Sequence, residues 1–196
     1  MSQKQEVEIR AKVSFEAGEK VIKNLVEMGA KYSNSAQIDD MYYCPKTVKD
    51  FSETEMDEIG SYSLRLRSSS KNGKEPKFSI NTKVITSFGD HSAWDEFESE
   101  ITSLEQMAHI LDTLSFKKFF EISKKRESYE IDDIKMEIEE VKDFGYVIEA
   151  EIMSEASESA GAKQRILDLF DKLKIARADI FPKSATNYLM RLWAKF

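Results

Sequence analysis

The stretch Glu6-Val7-Glu8-Ile9-Arg10-Ala11-Lys12-Val13 constrains the fold more than any other segment of the chain. Its even positions carry two acids and then two bases, while its odd positions are small or apolar. In an extended strand, residues two apart share a face and sit about 7 Å apart along it. Two carboxylates and two cations therefore project in line from one side of a sheet. Such a row suits a metal-bridged polyphosphate, with carboxylate oxygens for a hard cation and Lys/Arg for phosphate oxygens. A solvated sheet face alternates just as cleanly, so the reading depends on repetition.

The device recurs. Arg65 and Arg67 share a face, as do Asn81 and Lys83; Glu96, Glu98 and Glu100 alternate; Lys124 and Arg126 follow; Lys135, Glu137 and Glu139 oppose Ile134, Met136 and Ile138; Glu149 and Glu151 alternate with Ile148, Ala150 and Ile152. These faces hold nine acids (6, 8, 96, 98, 100, 137, 139, 149, 151) against eight bases (10, 12, 65, 67, 83, 124, 126, 135), a near balance that limits the cost of gathering them. Arginine pairs and glutamate pairs segregate by strand, and like-charged neighbours are unfavourable unless a counter-ion or an opposing strand compensates them. A sheet rolled into a barrel would set acid strands facing basic ones across a wet lumen. The alternative is a broad sheet with one face in water.

With 196 residues, one domain spanning 1–196 is the expectation. The 36 acids against 29 bases give a net charge of −7, which speaks against a general nucleic-acid or membrane-surface binder. Cys44 is the sole cysteine, so an intrachain disulfide and a four-cysteine zinc site are excluded, and with only His91 and His109 histidine metal chemistry has little to draw on. The start of the sequence lacks an apolar signal region and no 18-residue apolar run follows, so a cytoplasmic protein is expected.

Ser14 can cap a helix carrying Val21, Ile22, Leu25, Val26 and Met28, closed by Gly29. A strand from Lys31 to Tyr43 precedes a polar, acidic loop over 45–60, and 62–69 with 77–86 form a hairpin around Lys71-Asn72-Gly73-Lys74. A strand over 94–101, a capping box at Ser103-Leu104-Glu105-Gln106 and a helix with Met107, Ile110, Leu111 and Leu114 open the second half. Strands at about 117–130, 133–141 and 144–153, a helix over 157–173 and a short helix after Pro182 complete it. Each half thus opens with a Glu-x-Glu strand and a capped helix, a weak internal parallel. The class is α+β, with a largely antiparallel sheet and amphipathic helices packed outside it.

Glu6-Val7-Glu8-Ile9-Arg10 resembles the Glu-x-Glu-x-Lys signature of the CYTH family, the triphosphate tunnel metalloenzymes. Supporting matches are Asp40-Met41-Tyr42-Tyr43, Leu64-Arg65-Leu66-Arg67, Lys83 and Lys124-Lys125-Arg126; Asp143-Phe144-Gly145-Tyr146 leading to Glu149-Ala150-Glu151 resembles the closing strand of thiamine triphosphatases. The resemblance covers nearly the whole chain. It implies a closed antiparallel β-barrel, a tunnel of about eight strands, and a triphosphate-containing small molecule as partner with Mg2+ or Mn2+ as cofactor. By position, Glu6, Glu8 and Glu151 would hold the principal metal. Glu149 with Glu139 or Glu137 would hold a second metal or position water. Arg10, Lys12, Arg65, Arg67, Lys83, Lys124 and Arg126 would grip phosphates. Arg10 stands where the signature has Lys; it keeps the charge and forks onto phosphate, while any compact positional role of the signature Lys is put in question.

Phosphoryl transfer needs positioning and charge neutralisation more than a covalent nucleophile, and no Ser, Cys or His constellation competes with the charged strands. The first expectation is a metal-dependent triphosphatase in which water attacks the terminal phosphate. The second is a class IV-type adenylate cyclase, in which a ribose hydroxyl attacks the α phosphate. The third is a polyphosphate-binding module without turnover. Neither nucleic acid nor membrane is an expected partner, and the chain is expected as a monomer or homodimer.

Overall fold

The computed structural model describes residues 4–50, 60–85, 94–181, 189–190 and 194–195, with the side chains of 4–6, 85, 94 and 156 left outside that description. Among the described residues the elements run β1 (Lys4–Val13), α1 (Phe15–Glu27), β2 (Lys31–Pro45), β3 (Tyr62–Lys71), β4 (Lys77–Ile85), β5 (Trp94–Ile101), α2 (Leu104–Thr113), β6 (Phe116–Ile131), β7 (Ile134–Val141), β8 (Gly145–Glu155), α3 (Ser159–Lys172) and β9 (Ile180–Phe181). The strands form an antiparallel sheet in the order β5-β4-β3-β2-β6-β7-β8-β1-β9. The fold is α+β, as expected. The closed barrel is not supported: among the described residues no ladder joins β5 to the other end of the strand order, where the short β9 pairs with β1 at Arg10 and Ala11. Of the other expected elements, most of the acidic loop, the end of the first hairpin, His91 and most of the helix after Pro182 fall outside the described residues.

Two compact units divide the described chain, one comprising residues 1–36 and 124–185, the other 37–123 and 186–196. In the first, the odd residues of β1 (Ile9, Ala11, Val13) join Met136, Ile138, Ile148, Ala150 and Ile152 in one apolar face. Val21 and Leu25 of α1 and Ala162, Ile166, Leu169 and Phe170 of α3 cover it. Burying a side chain of this size contributes roughly 1.5–3 kcal/mol. The expected caps are present: the Ser14 hydroxyl accepts from Ala17 N at 3.3 Å. Past α1 the Ala30 and Gly29 amides donate to Leu25 and Val26 carbonyls, with Gly29 at φ +87°. Val26 and Met28, expected on the buried stripe, are exposed. α3 begins at Ser159, two residues later than expected, because 156–158 wind into a 3-10 turn.

In the second unit, Tyr43, Leu66 and Leu111 form a small core with Leu64, Ile80, Ile101 and Met107 packed around it. α2 supplies Leu111, and its cap is the Ser103 hydroxyl accepting from Gln106 N. The β3–β4 hairpin turns at Asn72 and Gly73, both at positive φ, the geometry that Asn-Gly provides most easily. No helix among the described residues is long and apolar enough to cross a membrane.

Candidate active site

The charged face of the first unit is a register of acids and bases set by one tight turn. Phe144 N donates to Val141 O, Asp143 adopts φ +61° and Gly145 φ +122°. A Cβ on Gly145 would stand 2.5 Å from the Val13 carbonyl, so only glycine lets β8 lie this close against β1 there. Tyr146 then packs over Gly18 of α1 and edge-on to Phe15, and Phe144 lies 4.1 Å beneath Lys12 Nζ. The Asp-Phe-Gly-Tyr segment thereby sets which residues of β8 meet which of β1. Glu151 falls opposite Glu8, and Glu149 opposite Arg10. One strand further, Glu137 faces Glu149 and Lys135 faces Glu151; then Arg126 faces Glu139.

Side chains follow this register. Arg10 bridges two strands, donating from Nε to Glu149 and from Nη2 to Glu8, each at 2.5 Å. Lys135 reaches Glu151 at 2.8 Å and Glu137 at 3.1 Å. Arg126 holds Glu137 and Glu139, and the buried Lys124 meets Glu139 at 2.7 Å. Burial alone would raise the Glu139 carboxyl, but the Lys124 and Arg126 charges outweigh it and hold it down at about 2. Glu149 goes the other way. Burial pushes it above the usual carboxylate range, and the Glu8 and Glu139 charges add to that push while Arg10 opposes it.

The donor set suits a hard cation in kind, being all carboxylate oxygen. Among the described residues no three such groups stand close enough to hold an ion as they are. Glu8 and Glu151 are opposed on adjacent strands, with their oxygens turned to Arg10 and Lys135. Glu6 sits one alternation away, opposite Met153, and its side chain is outside the described residues. The Glu149 carboxyl is raised chiefly by burial, with the Glu8 and Glu139 charges adding to it, and a cation bound nearby would oppose that shift.

The second unit gathers Arg65, Arg67 and Lys83 on one face of β3 and β4. Arg67 forks onto Asp40 at 2.6 and 2.8 Å, and Arg65 lies 3.8 Å from the same carboxylate and 3.4 Å from the Tyr42 hydroxyl. Asp40, whose side chain is fully buried, was not among the expected site residues although its segment carried part of the family resemblance. Lys83 pairs with Glu96 at 3.0 Å, and Asn81 Nδ2 donates to Glu96 at 2.6 Å. Burial would raise the Glu96 carboxyl; Asn81, Lys83 and Arg65 bring it below its usual value instead. Asn81 and Glu96 too were missing from the expected set, and the signal was the shared parity of 81 with 83 and of 96 with 98. Near this face Tyr42, Tyr43, Tyr62, Leu64, Phe119 and Met190 line a cavity of about 150 Å3.

The profile of the CYTH domain matches residues 4–185, and the chain belongs to the CYTH family. A Methanocaldococcus jannaschii protein named "putative adenylate cyclase" is 28% identical over 184 residues, covering 91% of this chain and 95% of its own. Among solved structures, a Pyrococcus horikoshii protein superposes with a TM-score of 0.72 at 22% identity, over 95% of this chain and 99% of its own. A Hippeastrum protein, described as a "putative adenylyl cyclase" that reveals a dominant triphosphatase activity, superposes with a TM-score of 0.62 at 15% identity, over 97% of this chain and 95% of its own. Members of the family are metal-dependent enzymes that act on triphosphates, adenylate cyclase-like or triphosphatase.

Proposed function

We propose that this chain, read as one domain over 1–196, is a metal-dependent triphosphate phosphohydrolase. The observation that carries the reading is the register of the first unit, where Glu8 opposes Glu151 and Arg10 spans Glu8 and Glu149. Glu8 and Glu151, with Glu6 by family position, are assigned to Mg2+ or Mn2+. When bound, that ion withdraws charge from phosphate oxygens and lowers the pKa of a bound water. In the first unit Lys124, Arg126 and Arg10 are assigned to phosphate oxygens; in the second, Arg65, Arg67 and Lys83 are assigned to phosphate as well, by family position. Lys12 joins them by family position.

Three carboxylates compete for the role of base. Glu139 accepts from Lys124 and Arg126, and a carboxyl held at about 2 is a poor proton acceptor near neutrality. Glu137 accepts from two cations, Arg126 and Lys135, whereas Glu149 accepts from Arg10. Glu149, raised by burial, is the better match, and it takes the proton of the attacking water while Lys and Arg stabilise the departing diphosphate.

A second reading is an adenylate cyclase, favoured by the name of the Methanocaldococcus relative. Water is preferred because Asp143-Phe144-Gly145-Tyr146 and the glutamate pair after it resemble the thiamine triphosphatase branch. Product analysis decides. The protein is incubated with tripolyphosphate, thiamine triphosphate or ATP and either metal. Orthophosphate is the expected product; cyclic AMP with pyrophosphate as the main products of ATP would replace this reading with the second.

A further inference from the structure

Glu96 sits where a bound anion would sit. Its carboxylate takes the Asn81 amide at 2.6 Å and the Lys83 ammonium at 3.0 Å, and lies 3.8 Å from Arg65 Nη2. Two of these three partners are cations assigned above to phosphate. The cradle is also incompletely satisfied: Arg65 Nε and Asn81 Oδ1 are buried without a hydrogen-bond partner among the described residues. Buried polar atoms of a settled structural cluster are nearly always paired. Turning the Asn81 amide over would not repair this, since its oxygen would then meet the Glu96 carboxylate.

The two carboxylates of this face differ in how firmly they are held. Asp40 is fully buried and gripped by the Arg67 fork. Glu96 projects from β5, whose residues are exposed from Asp95 to Glu100, and its side chain is 43% exposed. Rotation about its own side-chain bonds carries Glu96 into water without moving the backbone. A phosphate group offers more charge and more acceptor oxygens than one carboxylate.

We propose that Glu96 is a displaceable counter-anion, occupying the place of one phosphate group on Arg65, Asn81 and Lys83 until a polyphosphate ligand exchanges with it. The proposal rests on the phosphate-binding reading above. Exchange frees the Arg65 fork to turn its unsatisfied Nε onto a phosphate oxygen. Glu96 also becomes a selectivity element, because a ligand must outcompete an internal carboxylate: singly charged anions fail and polyphosphates succeed.

Calorimetric titration of the full chain with tripolyphosphate, without metal and at fixed ionic strength, tests this apart from turnover. Glu96→Gln and the smaller Glu96→Ser are compared with wild type, with Glu98→Gln as a charge control on the same strand and Arg65→Ala as a loss control. The expected result is binding about three- to tenfold tighter in both Glu96 variants, within about twofold of wild type in Glu98→Gln, and weaker in Arg65→Ala. Equal or weaker binding by the Glu96 variants, with Arg65→Ala still weakened, overturns this inference and leaves the phosphate reading standing. Absence of binding by wild type and variants alike overturns both.

Discussion

β1 and β5 both alternate glutamate with smaller or apolar residues, yet they hold their carboxylates in different states. β1 has β8 on one side and β9 on the other, so Glu8 is three-quarters covered and meets Arg10 within its own strand. β5 ends the sheet order and among the described residues pairs with β4 alone, so Glu98 stays exposed and Glu100 meets Lys77 with both side chains about three-quarters exposed. The same i, i+2 pattern therefore yields a charge-dense, half-buried array in one unit and a largely solvated row in the other. Coverage by neighbouring strands, which sets the local dielectric, makes the difference. Pattern alone does not.

The sharpest test of that difference is Glu8→Gln against Glu98→Gln. Each removes one carboxylate from a Glu-x-Glu strand. Glu8→Gln is expected to cut metal-dependent turnover by about a thousandfold or more, roughly 4 kcal/mol in the barrier, with an unchanged circular dichroism spectrum. Glu98→Gln is expected to leave turnover near wild type. Comparable rates in the two variants would erase the distinction between the strands.

Next in size is the buried cluster of the first unit. Glu139→Gln leaves Lys124 and Arg126 without their shared counter-charge, at a cost of about 3 kcal/mol in urea unfolding. The same pair makes acid sensitivity specific. Folding lowers the Glu139 carboxyl from its ordinary 4.5 to about 2, so its stabilisation is complete above pH 4.5 and disappears as pH falls toward 2. The amount is about 3 kcal/mol. In Glu139→Gln the decline in stability between those pH values should be shallower by that amount; parallel curves would show that the cluster is not what titrates.

How far the sequence carries this picture depends on the kind of information involved. Period-two charge alternation foretold the strands, and Ser14, Ser103 and Asn72-Gly73 marked helix starts and a hairpin, because caps and turns are local chemistry. The short β9 beside β1 was not legible, since two residues carry no periodicity. Partner identity was half legible. Shared parity put Glu149 and Glu151 on one face, but only the Gly145 turn against Val13 decides that they meet Arg10 and Glu8. Asp40 was hidden beside Asp39 in a tyrosine-rich strand, and a buried acid announces itself only through a partner that is distant in sequence.

That last point bears on the second unit directly. Two arginines on one strand suggest repulsion that a deletion would relieve; instead Arg67 is committed to a fully buried carboxylate. Arg67→Ala is therefore expected to lower thermal stability, by about 2 kcal/mol, with Arg65 at 3.8 Å retaining part of the compensation for Asp40. Tripolyphosphate binding should weaken by about 1.5–3 kcal/mol if Arg67 also contacts phosphate. Loss of stability with unchanged affinity would make Arg67 a structural partner of Asp40 alone.

The smallest expected effect closes the comparison at its exposed end. Lys77 and Glu100 stand 2.9 Å apart on β4 and β5, a distance close to that of the buried Lys124–Glu139 pair. If distance governed the energy, the two pairs would matter equally. Lys77 and Glu100 keep most of their hydration, their attraction is screened by salt, and holding two long side chains in register costs entropy. Lys77→Ala should therefore change stability by less than about 0.5 kcal/mol, and the change should vanish in molar salt. Removing Glu139 should remain costly in molar salt, because a buried pair is screened far less. A Lys77→Ala cost matching that of Glu139→Gln would mean that strand coverage is not what separates the two charged faces.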